Sequence, residues 1–423
     1  MVLWAAGTGQ PAGCPFEDLD MTAAMNRPGT GPAGQSPRTF GVEEEFLLVD
    51  PRTGQPVPLP ELAVSNPDRC DTKAHGPALT PELKQEQLEA VGPVCSTLQE
   101  LQDAITAGRA LADAAAAAVG ARAVALATSP LPVASTVVPT PRYLHMATRF
   151  GLTLKEQLTC GLHVHVRVGS GDEGVAVLNR IRIWLPVLLA LSANSPFWQG
   201  EDSGYASFRY QAWSRWPTAG PTELFSSERA YRAHVNSLLA SGVLLDEGMV
   251  YFDARLSRTH PTVEVRIADV CMESAHAVAI AAIIRALVER AAQEWADRVP
   301  APQISAAELR LAGWQASHSG VEGSLLHPFT NIPCSAIEAA QALLAHVGPV
   351  LAATGDENRV AAAVAGILAF GTGARRQRQT MMDTQSLTAV VLDAIEHTHR
   401  KSLPPQNPAP RQRLHYSNDP ISQ

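Results

Sequence analysis

Phe40-Gly41-Val42-Glu43-Glu44-Glu45-Phe46-Leu47-Leu48-Val49-Asp50 sets three consecutive carboxylates inside a run that otherwise reads as a β-strand. Side chains alternate across a strand, so Glu43 and Glu45 share one face and Glu44 takes the other. Like charges this close repel, and burying them costs on the order of several kcal/mol each unless a cation neutralises them. A sheet face that collects carboxylates points to Mg²⁺, a hard cation that prefers oxygen ligands and commonly accompanies substrate phosphates. Taken alone, the segment is explained equally well by a solvated strand face or an edge guarded by charge.

The pattern recurs. Leu162-His163-Val164-His165-Val166-Arg167-Val168 puts His163, His165 and Arg167 on one face, and Thr262-Val263-Glu264-Val265-Arg266-Ile267 does the same for Glu264 and Arg266. In Gln85-Glu86-Gln87-Leu88-Glu89-Ala90-Val91, Gln87 and Glu89 again share a face. Four such strands, dominated by Glu and His, fit a concave sheet lining a polar active site better than a sheet surface facing solvent. Glu44 is expected to be structural or to face outward. His165 is either a ligand or the neighbour of one, and Arg167, at a strand end, is expected in solvent. His75, His145, His276 and His327 read as surface or satisfied core residues.

The chain has 423 residues, 46% hydrophobic and 17% charged, which suffices for a substantial core in one large catalytic unit or two average domains. A net charge of −8 argues against general nucleic-acid or anionic-membrane binding, so an anionic substrate needs a local basic site or metal ions. Cys14, Cys70, Cys95, Cys160, Cys271 and Cys334 show no C-x-x-C spacing, which fits reduced thiols better than a disulfide framework or a zinc site. No basic n-region precedes a long apolar run, and the most apolar stretch, 183–191, is too short for a span and holds Pro186. A cytoplasmic location is the default expectation.

Residues 1–38 are rich in Gly, Pro and Ala and are expected to form a disordered extension; 402–423 is expected to be a flexible tail. One continuous unit, 39–401, lies between them. Strands are expected near 40–49, 83–92, 122–128, 161–168, 249–256 and 262–268, the last two joined by a hairpin. Helices are expected over 97–119 (Thr97 as N-cap), 173–193, 274–298, 304–317, 335–351, 356–370 and 373–398, with a break near Asp383. Strands first and helices last make an α+β protein with a mostly antiparallel sheet and a helical C-terminal part. The Trp- and Gly-rich loop at 195–221 holds Arg209 and Arg215, either of which can clamp a carboxylate. Gly371 to Arg378 combines a helix start with three arginines, suited to a phosphate, a solvated basic face or a subunit contact.

With these segments in view, the chain resembles the glutamate–cysteine ligase type 2 family, the carboxylate–amine ligase branch of the glutamine-synthetase-like superfamily. The resemblance rests on Gly41–Phe46, Gln87-Leu88-Glu89, Gly161–Val166, Asn194–Thr218, Val263–Arg266 and Gly371–Arg378, in that order. It implies a curved, mostly antiparallel sheet forming a funnel surrounded by helices, and a homodimer. It further implies that Glu43, Glu45, Glu89, His163 and Glu264 hold Mg²⁺ ions bridging the phosphates of ATP. Arg266, with Glu264, would act at the transferred phosphoryl group, and Arg209 and Arg266 would bind substrate.

The implied activity is ATP-dependent γ-glutamyl carboxylate–amine ligation through an acyl phosphate, with weak glutamate–cysteine ligase activity. No motif identifies cysteine as the amine. Two other readings stand beside it: a guanidino-group kinase on the same scaffold, and a non-catalytic nucleotide- or metabolite-binding protein. The intact set of Glu, His and Arg positions speaks against the second of these.

Overall fold

The computed structural model describes residues 37–59 and 76–400. The proposed extension and tail therefore lie, apart from Pro37, Arg38 and the chain up to Arg400, outside the described residues, as do Cys14, Cys70 and His75. Arg38 already belongs to the folded unit, because its guanidinium bonds Glu173 at 2.5 Å and Glu289 at 2.6 Å.

The first half of the chain runs β1 (Phe40–Val49), β2 (Ala78–Pro81), β3 (Gln87–Val91), α1 (Leu98–Ala117), β4 (Arg122–Val124), α2 (Pro141–Phe150), α3 (Leu152–Glu156), β5 (Gly161–Arg167), α4 (Gly171–Ile181) and α5 (Leu185–Ser192). A short hairpin follows, β6 (Phe197–Trp198) and β7 (Glu201–Asp202), then α6 (Phe208–Trp213), α7 (Glu228–Ala240), β8 (Ala254–Leu256) and β9 (Thr262–Asp269). Helices dominate the remainder: α8 (Ser274–Ala296), α9 (Ala306–Ser319), the pair β10 (Ser324–Leu326) and β11 (Pro333–Ser335), α10 (Ala336–Thr354), α11 (Glu357–Phe370), α12 (Gly373–Thr384) and α13 (Leu387–His399).

The principal sheet has seven strands in the order β2-β3-β1-β5-β9-β8, with β4 also pairing β1. Every pairing in it is antiparallel. It is open, with β2 and β8 at the ends of that order. The period-two pattern sorts its faces. Val42, Leu162, Val164, Val166, Val263 and Val265 are buried in one core with residues of α1, α4 and α8. Each such side chain contributes about 1.5–3 kcal/mol on burial, so a slip of one residue in register would expose the whole set. Register is thus fixed from behind, and the polar residues of the same strands are forced onto the opposite face.

Several elements depart from expectation. The predicted strand 83–92 keeps only Gln87–Val91 as β3, with β2 standing before it outside the predicted range, and 122–128 keeps only three ladder residues. The predicted helix 173–193 is two helices, α4 and α5, meeting at 69° ahead of Pro186. Helices α2 and α7 have no counterpart in the sequence reading. Among their residues only Met146, and only Tyr231 and Val235, are buried, so their apolar stripes are too thin to read. Helix α1 starts as predicted, with a capping box between Thr97 and Glu100. Of the single described helices, α10 alone reaches span length and apolarity, with a mean hydropathy of 1.4. Its Ala339, Ala340, Leu343, Val347 and Leu351 recur on the stripe that packs into the core.

Candidate active site

A cavity of about 330 Å³ opens on the polar face of the sheet. Glu43, Glu45, Gln87, Glu89, His163, His165, Glu264 and Arg266 all line it. Ladder pairing explains their proximity: Glu45 stands opposite Glu89, Glu43 opposite His163, and His165 opposite Glu264. Between Val164 and Leu162 the β5–β9 register shifts, and the bulge carries Arg266 and Ile267. An extra residue there re-aims the strand, so Arg266 stays on the cavity side while Ile267 enters the core.

The charges are unevenly matched. Glu264 is gripped by Arg255 through Nε at 2.7 Å and Nη2 at 3.1 Å, and it also meets Arg266. Burial by itself would raise its pKa, but Arg255, Arg266 and His165 hold it well below the usual carboxylate range. Glu43 is likewise held low: His165 and His163 outweigh burial. Glu89 goes the other way, pushed well up by burial and by Glu43, Glu82 and Glu45, against a 2.6 Å bond from Thr80. Glu82 is pushed up to about 8 by burial and Glu45. Burial and Arg266 lower His163, which favours the neutral imidazole that can ligate.

Donor atoms of Glu43, His163 and Glu264 lie within 4.8 Å of one another, and so do those of Glu45, Glu89 and His163. Two overlapping triads therefore share His163. Glu45 directly opposite Glu89 is a like-charge cross-strand pair, destabilising without a cation. The donor set is mostly carboxylate oxygen, and two of the cavity's acids hold protons above the normal range. A hard divalent cation such as Mg²⁺ fits this chemistry.

The other residues singled out in the sequence fall elsewhere. Glu44 is not outward-facing. It is buried and bonds Arg109 bidentately at 2.6 and 3.0 Å, on the core side of the sheet. Arg109 also donates to the carbonyls of Cys271, Met272 and Thr398, so the pair ties β1 to the ends of β9 and α13.

Arg209, expected at the substrate, is buried behind the wall and is not among the cavity-lining residues. It donates to the carbonyls of Arg266 and Ile267, 3.8 Å from Asp269. A Cβ at Gly161 would strike its Nη2, so glycine is needed there for the guanidinium to pass. Its contacts make it a support for β9 at the bulge. Asp269, fully buried, accepts bonds from the Asn194 N–H and the hydroxyls of Ser195 and Ser207, fastening the Trp-rich loop to the same strand.

Arg215 is paired with Glu156. The arginines of α12 meet Glu322, Asp393 and Asp202 in turn, and none lines the cavity. What the Gly371–Arg378 segment supplies is close packing: a Cβ on Gly373 would strike Asn194 Oδ1, and Gln377 bonds Asn194. Cys95, Cys160, Cys271 and Cys334 are free thiols.

Sequence reasoning missed Arg255, Glu82, Arg142, Tyr143 and Tyr251, whereas Trp213 and Trp216 of the aromatic wall belong to the Trp- and Gly-rich loop that it singled out. Arg255 had a signal, since it sits between Ala254 and Leu256 in the same alternation and pairs Glu264 in register. Glu82 lies in the turn after β2, where no periodicity marks it. Arg142 reaches the cavity from α2 and is held by Asp246 at 2.6 and 2.9 Å.

Among solved structures, the fold is similar to that of a bifunctional glutathione synthetase from Pasteurella multocida. The TM-score is 0.63 at 15% identity, over 86% of this chain and 52% of that one. It is also similar to a glutamate–cysteine ligase from Francisella tularensis in complex with AMP, with a TM-score of 0.60 at 13% identity over 87% and 90% of the two chains. The architecture is therefore the glutamine-synthetase-like ligase fold.

In sequence, the profile of Glutamate-cysteine ligase family 2 (GCS2) matches residues 39–396. A Paenarthrobacter aurescens (strain TC1) protein provisionally named glutamate–cysteine ligase 2-1 is 52% identical over 365 residues, covering 86% of this chain and 95% of its own. A Streptomyces coelicolor relative provisionally named glutamate–cysteine ligase 2 is 46% identical over 361 residues, covering 85% and 99%. The chain belongs to glutamate–cysteine ligase family 2, and it is an ATP-dependent ligase that forms C–N bonds.

Proposed function

We propose that the protein is a γ-glutamyl carboxylate–amine ligase that activates its carboxylate with ATP as an acyl phosphate. The observation that carries this reading is the pair of overlapping Glu/His triads on one sheet face, with Arg255 and Arg266 beside them. Glu43, Glu45, Glu89, His163 and Glu264 would hold Mg²⁺, which when bound neutralises the phosphate charges of ATP and of the group in transfer.

The remaining work falls to the chain. Arg266 lies on the cavity wall and offers a guanidinium to oxygens that gain charge in the transition state. Glu264 orients Arg266 and Arg255 together. Tyr143, Trp213, Trp216 and Tyr251 give the cavity an apolar wall beside these groups. A γ-carboxylate oxygen of glutamate attacks the γ-phosphorus and ADP leaves. The amine nitrogen then attacks the acyl carbon, the bond from that carbon to the phosphate oxygen breaks, and the nitrogen's extra proton leaves with the phosphate, giving an amide and hydrogen phosphate.

The test is a panel of amines, cysteine among them, with glutamate, ATP and Mg²⁺, following ADP and product mass. ADP release should require both glutamate and an amine, and the product should weigh their sum less one water. ADP release that ignores the amine, or phosphorylation of a guanidine without amide formation, would contradict the reading.

A further inference from the structure

We infer that His165 is a positioning residue for Glu43, holding that carboxylate where it can join His163 and Glu264 around a cation. The inference rests on the metal reading above and extends it to a side chain outside both triads. His165 is only 6% exposed, yet its ring forms part of the cavity wall. Nδ1 lies 3.0 Å from Thr262 Oγ1, and Nε2 lies 3.3 Å from Glu43 Oε1. The other oxygen of Glu43, Oε2, is 3.3 Å from His163 Nδ1. One carboxylate thus stands between two imidazoles, each facing one oxygen. Across the ladder His165 directly opposes Glu264, the other carboxylate of that triad.

A lone pair on Nε2 turned toward Glu43 would be repelled, so an N–H faces Glu43 from Nε2, and Nδ1 meets the Thr262 hydroxyl. The Nε2–Oε1 contact is off-axis for a hydrogen bond, and Nε2 has no other partner. A buried donor with no full partner is costly, and it remains available to follow Oε1 when Oε2 engages a cation. Outer partners that orient a metal ligand in this way typically change metal affinity about 10–100-fold when removed.

The test is a titration of the full chain with Mn²⁺, reading free Mn²⁺ by electron paramagnetic resonance, with KM for MgATP measured in parallel. His165→Ala should weaken Mn²⁺ binding about 10-fold or more and raise KM for MgATP, while kcat at saturating metal falls far less. His165→Gln, whose amide N–H reaches close to the Nε2 position, should recover most of the affinity. Thr262→Val, which removes the Nδ1 partner at similar volume, should shift Mn²⁺ binding the same way by a smaller factor, and it carries the test if His165→Ala does not fold. Folded variants that bind Mn²⁺ as tightly as wild type, or a loss that Gln does not restore, would overturn the inference. A wild-type protein that binds no Mn²⁺ would instead remove the metal reading, and this inference with it.

Discussion

On the core side of β1, the Glu44 carboxylate meets the Arg109 guanidinium in a dry, bidentate pair, with the spare N–H groups spent on three backbone carbonyls. On the cavity side, its neighbours Glu43 and Glu45 crowd against Glu82 and Glu89, while the nearest guanidiniums, Arg255 and Arg266, are both committed to Glu264. The residue type is the same and the strand is the same. Where the charge is matched in place, it serves as scaffold; where negative charge is left over in a cavity, the protein has stored affinity for cations. Thermodynamics separates the two, because a matched buried pair is needed for folding while an unmatched cluster works against it.

The largest effect that breaks this contrast should come from the cavity side. Glu264→Gln, measured by ADP release with glutamate and an amine, should lower turnover by about 10³-fold, since it removes a triad carboxylate and frees both arginines. Its thermal melting should also fall, because Arg255 and Arg266 lose the buried carboxylate that pairs them. Next comes the core side. Arg109→Ala leaves Glu44 as a buried charge without its partner and should cost about 3–5 kcal/mol in chemical denaturation. Replacing both, as Glu44→Gln with Arg109→Met, should recover most of that loss and leave turnover per folded molecule near wild type.

A smaller effect follows from Glu82. In the unfolded chain its carboxyl ionises near the usual value of 4.5, whereas in the fold it keeps its proton up to about 8. Between those values the native state binds more protons than the unfolded state, so stability declines as pH rises. Metal-free protein should therefore melt at lower temperature at pH 8 than at pH 5. Glu89 is raised by the same crowding and adds to the slope, so Glu82→Gln should lessen it, and saturating Mg²⁺ should do the same in wild type. Glu43 and Glu264 are held below the usual range, so their titrations lie outside this window. A slope unchanged in Glu82→Gln would remove Glu82 from the cluster.

How far the sequence could be read depended on periodicity. The alternation in β1, β3, β5 and β9 was strict enough to put Glu43, Glu45, Glu89, His163, Glu264 and Arg266 on one face, and the same rule separated Glu44 from them. It could not say whether Glu44 faced solvent or core, because its partner Arg109 lies on a helix 65 residues away. Residues outside a ladder were invisible for the same reason: Glu82 sits in a turn, and Arg142 comes from a helix with one buried residue. Arg209 shows the opposite failure. A conspicuous arginine in a Gly- and Trp-rich loop looked like a ligand clamp, but its guanidinium hydrogen bonds go to carbonyls of β9. Composition marks a loop as unusual without saying which way its side chains turn.

The most direct measurement uses glutamate labelled with ¹⁸O in the γ-carboxylate, turned over with ATP, Mg²⁺ and whichever amine supports ADP release. If the carboxylate is activated by phosphoryl transfer, one labelled oxygen should appear in the released phosphate for each amide formed. Amide formation with no label in the phosphate would contradict the account.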